Sequence, residues 1–230
     1  MIIDGKKIAE EIKQDLKEEF SKLEIKPTVA IVQVGDNPVT GKFVRSKQKL
    51  AEEIGVNFSI RKFSSEVDQG LVLDEISNLN EDEGVNGIVV QLPLPKNFDT
   101  QKVLDAVLVS KDIDVLSSFP NDLLPPVVGV VKEILLRNNI DIKNKKIVVV
   151  GQGKLVGRPV AEWFRKCGGD VTVLDKENWN KQALANAEII VTGAGSPGLI
   201  KPEMINTSFP GDHLHFNWNG IIKQIQFLCR

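Results

Sequence analysis

The chain has 230 residues, 42% hydrophobic and 26% charged, with 18 glycines and 11 prolines, which excludes a disordered, collagen-like or disulfide-scaffold protein. The 29 Lys and Arg against 31 Asp and Glu leave a formal charge of −2, so no basic field argues for a nucleic-acid partner. Cys167 and Cys229 suit a reducing compartment, the N-terminus lacks an apolar export segment, and no window approaches the roughly 18 apolar residues of a membrane span, so a soluble cytoplasmic protein without a membrane partner is expected.

Ile8, Ile12, Leu16 and Phe20 recur every four residues among Lys and Glu, which predicts a helix with one apolar stripe. Residues 27–34 form a continuous β-branched run closed by Gly35-Asp-Asn-Pro38, the pattern of a buried strand ending in a turn. A helical pattern over 39–54 stops at Gly55, which suits the residue just past a helix end. A strand over 56–63, a helix over 67–80 and a buried strand over 87–92, stopped by Pro93 and Pro95, complete an α/β layer whose strands end at one edge. Lys111-Asp-Ile-Asp114, followed by Pro120, Pro125 and Pro126, reads as a crossing segment. It divides the chain into domains of residues 1–122 and 123–230. The second opens with a helix over 128–138 and continues as βαβαβ: strands over 146–150, 170–174 and 188–192, helices over 160–167 and 181–186.

Glycines at 151, 153 and 157 stand between a strand and a helix. Glycine lets the backbone turn tightly and approach a pyrophosphate, while the helix N-terminus offers N–H groups and a positive dipole end, so this loop points to dinucleotide binding. Asp175, 24 residues after Gly151 at the end of the next strand, can accept both hydroxyls of an adenosine ribose and would repel a 2′-phosphate; it also suits a plain strand-end turn. Lys176 beside it offsets that repulsion, which leaves NAD and NADP both open. Phe43 and Lys47 share one helix face, and Gln91 stands at a strand end.

Taken together, Val34-Gly-Asp-Asn-Pro38, Phe43-Val-Arg-Ser-Lys47, Gly87-Ile-Val-Val-Gln-Leu-Pro-Leu-Pro95, Lys111-Asp-Ile-Asp114, Val148-Val-Val-Gly-Gln-Gly-Lys-Leu-Val-Gly-Arg-Pro159 and Gly193-Ala-Gly-Ser-Pro-Gly-Leu-Ile200 resemble, collinearly over about residues 1–205, the bifunctional methylenetetrahydrofolate dehydrogenase/methenyltetrahydrofolate cyclohydrolase family. The resemblance implies an α/β fold of two domains: an N-terminal folate-binding catalytic domain and a C-terminal Rossmann-type domain. It implies NAD(P)-dependent oxidation of 5,10-methylenetetrahydrofolate to the methenyl form, hydrolysis of that to 10-formyltetrahydrofolate, and a cytosolic homodimer. It implies catalytic roles for Lys47, Gln91 and Asp114, and a substrate-side position for Phe43, Ser46 and Pro93. Cofactor contacts fall on Gly151, Gln152, Gly153, Val156, Gly157, Arg158, Asp175 and Gly193, and no metal is expected. In that chemistry the dehydrogenase step needs alignment more than a base, and a lysine among apolar walls can assist water attack.

Four departures from the family pattern follow. The family's tyrosine is Phe43, which keeps a flat face but lacks the hydroxyl. The family's Asp-x-Asp-Gly is Asp112-Ile-Asp114-Val115, and its Pro-x-Thr-Pro-x-Gly loop is shortened to Pro125-Pro-Val-Val-Gly129. Its Arg-Ser is Gln152-Gly153, which removes a 2′-phosphate partner and favours NAD. From Asn206 the chain lacks the family's closing segment and reads as a frame-shifted or truncated end; Asp212-His-Leu-His215 with Trp218 nearby reads as incidental rather than metal-binding. The contrasting expectation is a non-catalytic nucleotide- or folate-binding remnant of the family.

Overall fold

A computed structural model describes residues 3–196 and 198–205 and the backbone of 215–216. The tail from 206, with Asp212, His213, Trp218 and Cys229, otherwise lies outside the described residues. Two compact units are present: residues 10–125, and a second from Pro126 onward that takes in the N-terminal residues as far as Ala9.

The apolar stripe of the first segment folds as α1 (Gly5–Ser21), with Ile8 buried and Ile12, Leu16 and Phe20 half-buried. β1 (Thr28–Val34) is followed by α2 (Pro38–Ile54), β2 (Asn57–Phe63), α3 (Gln69–Glu81) and β3 (Gly87–Val90). The strands are parallel in the order β2-β1-β3, so the central strand β1 is the apolar run, with Ile31 and Val32 fully buried. β2 lies at the edge of the sheet and none of its residues is fully buried, in keeping with its less apolar pattern. Gly55 takes φ +82° past the end of α2, a left-handed conformation that favours glycine.

β3 is shorter than the apolar run suggests, although the Gln91 N–H still bonds the Val32 carbonyl at 2.9 Å. The Leu92–Pro93 peptide is cis. Sequence periodicity missed the short helix α4 (Thr100–Asp105), whose start is capped by Asp99 accepting the Lys102 N–H. Val103 and Leu104 of α4 join Val72, Ile76, Leu79, Val90 and Phe98 in one core. Burying each such side chain contributes roughly 1.5–3 kcal/mol.

In the second unit α5 (Pro126–Arg137) precedes β4 (Lys146–Val150), α6 (Gly157–Lys166), β5 (Asp170–Leu174), α7 (Lys181–Asn186) and β6 (Ile189–Thr192). A two-residue β7 (His215–Phe216) pairs with β6. The parallel order β5-β4-β6-β7 puts the connections leaving β4 and β5 on opposite sides of β4. The crevice at the carboxyl end of β4 is where an open α/β sheet binds its ligand. α6 starts three residues earlier than the apolar pattern indicates, because Gly157-Arg-Pro159 already forms its first turn.

Candidate active site

Three side chains far apart in sequence meet in the unit of residues 10–125. Lys47, on the third turn of α2, donates from Nζ to Gln91 Oε1 at 3.2 Å. Gln91, just past β3, donates from Nε2 to the Leu92 carbonyl at 2.9 Å, which holds its amide oxygen toward the lysine. Asp114 Oδ2 lies 4.0 Å from Lys47 Nζ, and the two side chains are only 6% and 12% exposed. At an effective dielectric of about 20 such a separation carries roughly 4 kcal/mol of attraction, largely offset by desolvation of both groups. The pair has no net charge, so a cationic ligand beside it meets no uncompensated positive field.

The sheet explains this convergence. β1 leads into α2 and so delivers Lys47; β3 ends at Val90, one residue before Gln91; and Asp112 makes a parallel bridge to Ile88, which brings the Asp112–Asp114 segment alongside β3. Asp114 follows after one residue, and Val115 takes φ +52°. A β-branched residue in that region costs about 1–3 kcal/mol. Asp112 Oδ2 accepts the N–H groups of Leu116 at 3.0 Å and Ser117 at 2.9 Å. These two bonds to one carboxylate oxygen oppose the strain. Phe43, one turn before Lys47 on the same helix face, is half-buried, whereas Ser46 and Pro93 are exposed. The sequence singled out Lys47, Gln91 and Asp114 individually; it gave no sign that Asp112 is the buried clamp on their loop, apart from the acidic residue two positions before Asp114.

The glycine loop of the second unit is folded for close approach. Gly151 has φ +98° and donates its N–H to the Leu174 carbonyl at 2.7 Å. A Cβ on Gly157 would overlap the Gly151 carbonyl, and one on Gly193 would come within 2.8 Å of Val156 Cγ1, so the β4 loop, the start of α6 and the end of β6 interlock. A Cβ on Gly153 meets nothing within 4 Å, which leaves that part of the loop open to a ligand. The Gly153 carbonyl accepts the N–H groups of Val156 and Arg158, and Arg158 is exposed. The loop thus has the backbone shape and space a pyrophosphate requires.

Asp175 stands directly after β5. Its Oδ1 accepts the N–H groups of Glu177 at 2.8 Å and Asn178 at 3.1 Å, and its Oδ2 accepts Gln152 Nε2. The strand-end turn and the link to the glycine loop therefore coexist in one carboxylate.

The family described as tetrahydrofolate dehydrogenase/cyclohydrolase, catalytic domain, matches residues 3–114, and its NAD(P)-binding domain matches residues 125–209. The chain belongs to this family. The bifunctional protein FolD of Halothermothrix orenii is 38% identical over 220 residues, covering 89% of this chain and 77% of the relative. The bifunctional FolD dehydrogenase/cyclohydrolase of Campylobacter jejuni superposes with a TM-score of 0.86 at 30% identity, covering 89% of this chain and 77% of that one. The Trypanosoma brucei FolD, solved with NADP and an inhibitor, gives 0.83 at 29% identity, covering 89% and 75%. The fold is accordingly that of a two-domain α/β enzyme of this family, with a catalytic domain followed by an NAD(P)-binding domain. Among the described residues no helix is long and apolar enough to cross a membrane, and no three His, Cys, Asp or Glu are grouped to hold a metal.

Proposed function

We infer that the protein oxidises 5,10-methylenetetrahydrofolate to the 5,10-methenyl form with a nicotinamide cofactor and hydrolyses the methenyl form to 10-formyltetrahydrofolate. The observation that carries this reading is the meeting of Lys47, Gln91 and Asp114 in a member of this family. Asp114 holds the pterin ring, Gln91 and Lys47 border the one-carbon unit, and Phe43 offers its flat face with Ser46 and Pro93 at the rim. Gly151, Gln152, Gly153, Val156, Gly157, Arg158, Asp175 and Gly193 hold the dinucleotide, with the pyrophosphate over the start of α6 and the adenosine ribose at Asp175.

When bound, the nicotinamide supplies the hydride acceptor. A neighbouring folate nitrogen pushes the hydride off the methylene carbon, so the chain's task in this step is alignment. The methenyl product is a cation, and the Lys47–Asp114 pair beside it adds no net charge. In hydrolysis water adds to the methenyl carbon and releases one proton to solvent; the bond from that carbon to the ring nitrogen then breaks as Lys47 Nζ, held in place by Gln91 Oε1, gives that nitrogen a proton and regains one from the hydroxyl that becomes the formyl oxygen.

The two domains are proposed as residues 1–122 for folate and 123–230 for the cofactor, in a cytoplasmic homodimer that serves one-carbon metabolism and purine biosynthesis without nucleic acid or metal. A spectrophotometric assay of the full chain with 5,10-methylenetetrahydrofolate and NAD or NADP tests the reading. Methenyl absorbance that rises with reduced cofactor and then decays supports it; no cofactor-dependent turnover with either dinucleotide overturns it.

A further inference from the structure

Asp112 is a buried carboxylate, 4% exposed, that the chemistry above does not use. Its backbone is fixed on the sheet by the bridge to Ile88, and its carbonyl accepts Asn121 Nδ2 at 3.1 Å. Its Oδ2 reaches forward along the chain to the N–H groups of Leu116 and Ser117. Between the clamp and these partners lie Asp114 and Val115, the latter at φ +52°. Valine avoids that region, so this loop conformation is not one the local sequence prefers, and it persists because surrounding contacts over-determine it.

We propose that Asp112 is the positioning residue for Asp114: its carboxylate holds Val115 in the left-handed region and so keeps the Asp114 carboxylate turned toward Lys47. This rests on the assignment of Asp114 to the folate pocket. Removing both acceptor bonds releases Val115 to negative φ, which rotates the peptide planes beside Asp114. Glycine at 115 adopts positive φ without cost, so it forms the same turn with no clamp.

The test uses the full chain, with steady-state dehydrogenase kinetics and the dissociation constant of tetrahydrofolate measured by calorimetry. Asp112→Ala is expected to raise KM and that constant about tenfold or more with kcat within about threefold. Adding Val115→Gly returns both to within about threefold of the parent, a rescue that a purely structural role for Asp112 does not give. Asp114→Asn raises the same constants, and Asp112→Ala on top of it adds less than about twofold, because one residue acts through the other. Equal effects of Asp112→Ala in both backgrounds, or no rescue by Val115→Gly, overturn the proposal while the folate assignment stands. An Asp114→Asn variant that binds tetrahydrofolate as the parent does overturns that assignment and the proposal with it. Val115→Gly alone needs no damaged fold: it is expected to keep KM and raise Tm by about 2–4 °C, and a lowered Tm overturns the strain on which the proposal depends.

Discussion

Lys47 Nζ donates to Gln91 Oε1 at 3.2 Å, joining the third turn of a helix to the end of a strand 44 residues later in the chain. The bond fixes where the ammonium group points and leaves the Gln91 side-chain N–H on the Leu92 carbonyl, so neither side chain can rotate without losing a partner.

Lys47→Met removes the proton-moving group and keeps the apolar stem. Methenyl hydrolysis should fall by about 10²-fold or more, while tetrahydrofolate binding remains detectable. Hydrolysis by this variant at the parent rate, followed as loss of methenyl absorbance, would refute the role given to the lysine.

Phe43→Tyr adds a hydroxyl on the helix face that carries Lys47. It should raise methenyl hydrolysis by about three- to tenfold, as one hydrogen bond of roughly 1 kcal/mol gives, and change the dehydrogenase rate less. The ratio of the two rates in parent and variant decides this; a ratio that does not move removes the hydroxyl from the argument.

NAD should be used at least as well as NADP. Gln152 is uncharged and already donates to Asp175 Oδ2, so a 2′-phosphate there would meet a carboxylate with only the neighbouring Lys176 to offset it. A charge-assisted contact is worth about 1.5–3 kcal/mol, so Gln152→Arg should shift kcat/KM toward NADP by roughly tenfold or more. A parent enzyme that prefers NADP by more than about tenfold contradicts this.

Gly157→Ala puts a Cβ into the Gly151 carbonyl, which is backbone and cannot swing aside. The strain should cost about 1–3 kcal/mol and open the glycine loop, weakening NAD binding by tenfold or more while tetrahydrofolate binding changes little. Calorimetric titration with each ligand separates these outcomes; unchanged NAD affinity would show that the interlocked loop is not the cofactor cradle.

The acid limb of the stability curve should depend on Glu188. The Lys145 ammonium, and after it the Lys146 N–H, hold its carboxyl below the ordinary glutamate range. Because the folded value is lowered, its contribution is present above the ordinary value near 4.5 and is lost as pH falls through the folded value. Glu188→Gln should lower stability slightly at pH 7, since the pair is largely solvated, and this deficit should shrink as pH falls through the folded value. Circular dichroism of unfolding across the acid range measures this, and a deficit at pH 7 that does not shrink on acidification would argue against the pair.

The sequence by itself determined the local elements and the chemistry each could carry. Nearly continuous apolar runs specify β1 and β4, since a strand buried on both faces favours apolar residues at successive positions; Gly55 stops α2, and Gly151 and Gly157 shape the turn before α6. Periodicity did not detect α4, whose six residues are too few to set a period and which exists because Val103 and Leu104 reach the core. Tertiary structure decided what the spacing cannot express. Parallel pairing of β1 and β3 brings Lys47 to Gln91, and the bridge from Ile88 to Asp112 carries in Asp114. The double role of Asp175, held by its own turn and by Gln152, likewise depends on β4 and β5 being neighbours. Motif order survives in one dimension because each element is local; the 4.0 Å between Lys47 and Asp114 exists only once the sheet fixes which strand ends lie side by side.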